Sequence, residues 1–131
     1  MLQKRSIWRA LFSALVGGMG GVSLTATIFP FVIARFLGHL SLEALVNMRG
    51  MALLVALLWA VGGGIVGWVG GGRTGAIVLG LCGAVTGLTL GLLAAPDNPL
   101  GVIAGVAIGL LYGIPGGIIM GYVFPKPANQ V

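Results

Sequence analysis

The chain is poor in almost everything that soluble proteins use for chemistry. Only 7% of its 131 residues are charged, where a soluble domain carries about 25%. It holds one histidine, His39, one cysteine, Cys82, and two acidic residues, Glu43 and Asp97. A metal site needs three or four clustered ligands, and nucleophilic catalysis needs a nucleophile beside a base. Neither set can be assembled here, so no enzyme, metal site or cofactor is expected. A lone cysteine excludes a disulfide framework. It lies within a hydrophobic run and reads as a small apolar residue. The shortage of acids also excludes ion coupling of the usual kind, which places a carboxylate at membrane depth. Between Thr74 and Phe124 the only charged side chain is Asp97.

What is abundant is apolar surface and glycine. Hydrophobic residues make up 58% of the chain, and the mean hydropathy is +1.12. This composition predicts an all-α integral membrane protein, a single transmembrane domain of four helices at about 10–34, 42–69, 76–95 and 99–124. The net charge of +5 does not indicate nucleic acid. The basic residues Lys4, Arg5, Arg9, Arg35, Arg49, Arg73 and Lys126 stand at helix ends, where lipid headgroups lie. The run after Arg9 is too long for the core of a cleaved signal peptide, so a retained first helix is expected.

There are 25 glycines, and many recur every fourth residue. The fourth run has Gly101, Gly105, Gly109, Gly113, Gly117 and Gly121. The third has Gly83, Gly87 and Gly91, the second Gly63 and Gly67, the first Gly17 and Gly21. A glycine inside a helix costs about 1 kcal/mol relative to alanine. Such a series is expected where another backbone approaches closely, and in a membrane that is usually another helix. The chain is therefore expected to form a compact glycine-rich four-helix bundle packed by GxxxG or glycine-zipper contacts. A second reading makes the glycine surface a smooth wall for a bulky apolar ligand, such as a quinone or lipid tail. Four-residue spacing drifts about 40° per step around a helix. The fourth helix must therefore either cross one partner at about −40° or contact two neighbours. The spacing resembles that of the packed hairpins of ATP synthase proton-translocating ring subunits, but their mid-helix acid is absent and the activity does not carry over.

Local signals place the ends. Pro30 and Pro115 should kink their helices, with Ser23, Thr25 and Thr27 able to bond carbonyls freed by Pro30. Ser41 is a candidate N-cap, Glu43 falls in the first turn, and the stretch 41–50 either lies at the interface or continues into the second helix. Asn98 can cap the fourth helix with Pro99 at its first position. Thr86 and Thr89 are read as bonding back to their own preceding turns. Arg35, His39, Glu43 and Arg49 form a possible polar cluster at the interface. Five basic residues against two predict both termini on the same, cytoplasmic side. The expectation is a multi-pass protein of a bacterial inner membrane, partnered by the lipid bilayer and by other membrane subunits or copies of itself. An accessory or assembly subunit of a larger membrane complex fits best. The alternative is a homo-oligomeric channel or small transporter with a polar path along Ser23, Thr25, Thr27, Thr86 and Thr89.

Overall fold

A computed structural model describes residues 2–38 and 40–126. Among these residues the chain is helical with no strand. Helix α1 spans Leu2–Ser23, a π-helical turn covers Leu24–Ile28, and α2 follows over Phe29–Leu37. Helices α3 (Leu42–Val69), α4 (Gly72–Ala94) and α5 (Pro99–Val123) complete the chain. Four stretches are long and apolar enough to cross a membrane: Ser6–Phe36, Leu42–Val69, Gly72–Ala94 and Pro99–Val123. The protein is thus a multi-pass helical membrane protein in architecture.

The first span starts earlier than the expected position 10 and continues past Ala34. Its interruption is a π turn, upstream of Pro30. Pro30 has no N–H to offer the carbonyl one α-turn back. The backbone widens instead, so that the Phe29 N–H bonds the Leu24 carbonyl five residues away. Such adjustments re-satisfy backbone groups freed by proline where no water is present. Thr25 Oγ1 donates to the Gly21 carbonyl at 2.9 Å, holding the same turn from its buried side. Gly38 ends α2 in the left-handed conformation, φ 77°, which glycine adopts without a Cβ clash.

Helix α3 is continuous through Met51, so the stretch 41–50 is its first turns. The Ser41 hydroxyl accepts from the Ala44 N–H, and Asn98 caps α5 by accepting from the Leu100 N–H. Between α3 and α4 the chain reverses in two residues, Gly70 and Gly71, with φ 75° and 93°. The Gly71 N–H there donates to the Phe124 carbonyl at 3.0 Å, tying the last residues to this turn.

The helices associate as two antiparallel pairs, α1 with α3 and α4 with α5. Pair α4–α5 is joined backbone to backbone. A Cβ on Gly75, Gly83 or Gly87 would overlap the carbonyl of Gly117, Gly109 or Gly105, and the reciprocal additions overlap as well. Gly91 opposes Gly101, Gly113 opposes the Leu79 carbonyl, and Gly121 opposes Gly71. Each step of four residues up one helix matches four down the other. All six glycines of the α5 series therefore face α4, and none turns to a second neighbour. A contact line repeating every four residues can stay on one partner only if the two helices wind right-handedly about each other.

In the α1–α3 pair, Gly17 lies under the Trp59 carbonyl, Gly63 under the Ser13 carbonyl and Gly67 within 2.7 Å of the Arg9 carbonyl, measured from an added Cβ. Helices α3 and α4 meet where Gly62 admits the side chains of Cys82 and Leu79. The seam between α1 and α5 is sparse.

Candidate functional site

Trp59 is the side chain on which the four spans converge. It comes from the middle of α3 and is only 2% exposed. Its ring covers Gly20 and Gly21 of α1, and at Gly21 an added Cβ would stand 2.8 Å from Trp59 Cγ. Its indole Nε1 donates to Thr86 Oγ1 of α4 at 3.0 Å. Its ring centroid lies 5.5 Å from that of Tyr112 on α5. The Tyr112 hydroxyl in turn donates to the Gly20 carbonyl at 3.3 Å, crossing the sparse seam. A buried indole must place its N–H on an acceptor, and Thr86 supplies it. The expectation that Thr86 bonds its own preceding turn is corrected here. Thr89 does so, donating to the Val85 carbonyl at 2.9 Å.

A second polar contact fastens the Arg9 end of the seam. Ser13, fully buried, reaches both the Gly63 carbonyl at 2.6 Å and Met120 Sδ at 3.1 Å. Beyond it the Arg9 guanidinium donates to the Pro125 carbonyl at 2.8 Å and lies 5.8 Å from the Phe124 ring centroid. Phe12 packs edge-on to Phe124.

Between and beside these contacts the surface among the described residues opens into recesses, of which three bear on function. One, of about 450 Å³, lies between α2 and α5, lined by Ile28, Val32, Phe36, Ala104, Ala107, Ile108, Leu111 and Tyr112. Another, of about 360 Å³, lies below it on the α1–α5 seam, with Trp59 and Met120 in its wall. Tyr112 belongs to both and divides them. The third, of about 610 Å³, runs along α1 and α3 and contains Gly18, Ser23, Thr27, Ala56 and Ala60.

The remaining expected residues are placed as follows. Gly17, Gly21, Gly63, Gly67, Gly83, Gly87, Gly91, Gly101, Gly105, Gly109, Gly113, Gly117 and Gly121 all lie against atoms of other helices of the same chain. Gly75 extends the α4 series by a member that the sequence spacing alone did not single out. Gly50 and Gly116 have open space where a Cβ would stand. Arg35, Glu43 and Arg49 are exposed at the Arg35 end, and His39 lies outside the described residues. The Cys82 thiol is buried 3.8 Å from the Leu58 carbonyl. Among the described residues no three His, Cys, Asp or Glu side chains come together.

Reading the sequence missed Trp59, Thr86 and Tyr112 as a connected set, and Ser13 as a second polar contact. A signal was present. Ser13 continues the Gly17–Gly21 series backward by four residues, and Trp59 continues the Gly63–Gly67 series backward by four. A tryptophan at a position otherwise held by glycine announces a large side chain on the packed face. Compared with protein-family models, with curated proteins and with solved structures, the chain matches none of them.

Proposed function

We propose that this protein acts through helix–helix contacts in a bacterial inner membrane, as an accessory or assembly subunit of a larger membrane complex. The observation that carries this reading is the groove along α1 and α3. Its residues Gly18, Ala56 and Ala60 are small, which lets another backbone come close. On its α1 side stand Ser23 and Thr27, exposed and one helical turn apart. The hydroxyls of Ser13, Thr25, Thr86, Thr89 and Tyr112 are hydrogen-bonded within the chain. Those of Ser23 and Thr27 have no partner among the described residues. In hydrocarbon such groups favour a partner helix that can hydrogen-bond to them. The zipper-like glycine series, by contrast, is occupied inside the chain, which leaves this groove as the best surface for a foreign helix.

Both termini are assigned to the cytoplasm. Lys4, Arg5, Arg9, Arg73 and Lys126 belong to that end of the spans, against Arg35 and Arg49 at the other. The Arg9–Pro125 hydrogen bond supports a common end for the first and last spans.

A homo-oligomeric channel or small transporter is the second reading. It needs a shared polar path, but Thr25 and Thr89 bond their own backbones and Thr86 holds Trp59. Only Ser23 and Thr27 remain to line a lumen. Gentle-detergent isolation of the tagged protein from its native membrane, with mass determination of what accompanies it, separates the two. Stoichiometric foreign subunits are expected. An oligomer of this chain alone would replace the first reading by the second.

A further inference from the structure

The recess between α2 and α5 differs in kind from the groove that suits a helix. Its walls are Ile28 of the π turn with Val32 and Phe36 of α2, spaced four residues apart, and Ala104, Ala107, Ile108, Leu111 and Tyr112 of α5. Its only polar side chain is Tyr112, whose hydroxyl is engaged with the Gly20 carbonyl. From Ile28 to Phe36 the cleft runs about 12 Å along the helix axis. Phe36 and Leu111 stand at its rim, 78% and 75% exposed. Side chains of that size narrow the entrance to the alanines behind them.

The Tyr112 ring, tilted at 55° to that of Trp59 and tethered to α1, stands between this cleft and the seam recess and lines both. On the α2 wall Arg35 falls between the lining residues Val32 and Phe36. This exposed cation lies in the last turn of α2, three residues after Val32, so the two share one helical face. A positive charge at the mouth of an apolar slot of membrane depth complements an amphiphile with an anionic head and a hydrocarbon tail. Glu43 and Asp97 belong to the same end of the chain's spans but to α3 and to the α4–α5 turn. We infer that the α2–α5 cleft binds one glycerophospholipid, with an acyl chain between Val32 and Ala107 and the phosphate at Arg35. The chain ends against Tyr112.

The test uses the purified full-length protein, stripped of lipid in a maltoside detergent. It is titrated with phosphatidylglycerol or with diacylglycerol, which shares the tails and lacks the phosphate. Bound lipid is counted by native mass spectrometry. One phosphatidylglycerol per chain is expected. Filling the slot with Ala104→Leu and Ala107→Phe should lower its retention at least tenfold. Arg35→Gln, at the exposed mouth, should weaken phosphatidylglycerol about threefold and leave diacylglycerol unchanged. If the filled variant does not fold, the Arg35 comparison decides alone. Equal retention by the filled and native chains would place the lipid elsewhere and overturn the assignment. So would an equal loss of both lipids in Arg35→Gln. A filled variant that changes the mass of the assembly but not its lipid content would make the occupant a protein helix, and would equally overturn it. None of these readouts requires a partner subunit, so failure here leaves the accessory reading standing.

Discussion

Trp59 and Thr86 are joined by a side-chain hydrogen bond from α3 to α4, indole nitrogen to hydroxyl oxygen at 3.0 Å. The bond is one of several polar links between the two antiparallel pairs, beside Ser13 to Met120, Tyr112 to Gly20 and Cys82 to Leu58. Interhelical hydrogen bonds in membranes are worth on average about 0.6 kcal/mol and at most about 1.7. A double-mutant cycle with Trp59→Phe and Thr86→Val, read by unfolding in mixed micelles, should return a coupling in that range. Additive losses would mean that the bond contributes nothing beyond packing.

The glycines divide into two classes with opposite predicted responses. At Gly109 an added methyl overlaps the Gly83 carbonyl, so Gly109→Ala should part α4 from α5 and lower the thermal midpoint. Gly109→Leu with Gly113→Leu should prevent folding altogether. At Gly116 a Cβ meets nothing within 4 Å, and alanine there gains about 1 kcal/mol of helix propensity. Gly116→Ala should be neutral or stabilising. Matching losses at Gly109 and Gly116 would show that the close approach is not what the series serves.

The proposed topology has a direct assay. A cysteine at Asp97, on a Cys82→Ala background, should react with a membrane-impermeant thiol reagent applied outside intact cells. Labelling only after lysis would invert the assignment of both termini.

Ser23→Ala with Thr27→Ala removes the two exposed hydroxyls from the α1–α3 groove. Neither is hydrogen-bonded among the described residues, so the isolated protein should keep its thermal midpoint. Recovery of partner subunits in the gentle-detergent isolation should fall severalfold. A fall in intrinsic stability with unchanged partners would assign these residues to the fold instead.

Much of the architecture is legible in the residues, and the reasons are physical. Hydrophobic runs bounded by arginine, proline and glycine mark spans because water-filled and lipid-filled regions select such different side chains. Ser41 and Asn98 are readable as caps because capping depends on neighbours in sequence. The π turn before Pro30 was legible only as a disturbance, since proline announces a missing donor without saying how the backbone will compensate. Thr86 was misread because its partner lies 27 residues away, and a hydroxyl in a helix always has a nearer carbonyl available. The clefts beside Tyr112 could not be read at all. They depend on how far α2 stands from α5, which no local pattern encodes.

The repeating match of α4 to α5 has an unexpected weakness. A pattern that recurs every four residues is its own translation, so sliding one helix a single step along the other again sets glycine against glycine at most levels. Close packing therefore makes the pair tight without making its alignment unique. The unique alignment must come from the few features that do not repeat. These are the short turn between Pro96 and Pro99, the strap from Gly71 to Phe124, Leu79 standing where the series would have glycine, and Trp59, which bonds Thr86 of α4 and packs against Tyr112 of α5. Such irregular members play the part that an isolated polar residue plays in a coiled coil, where it fixes register at some cost in stability. In this protein the glycines supply adhesion, and the exceptions among them supply the address.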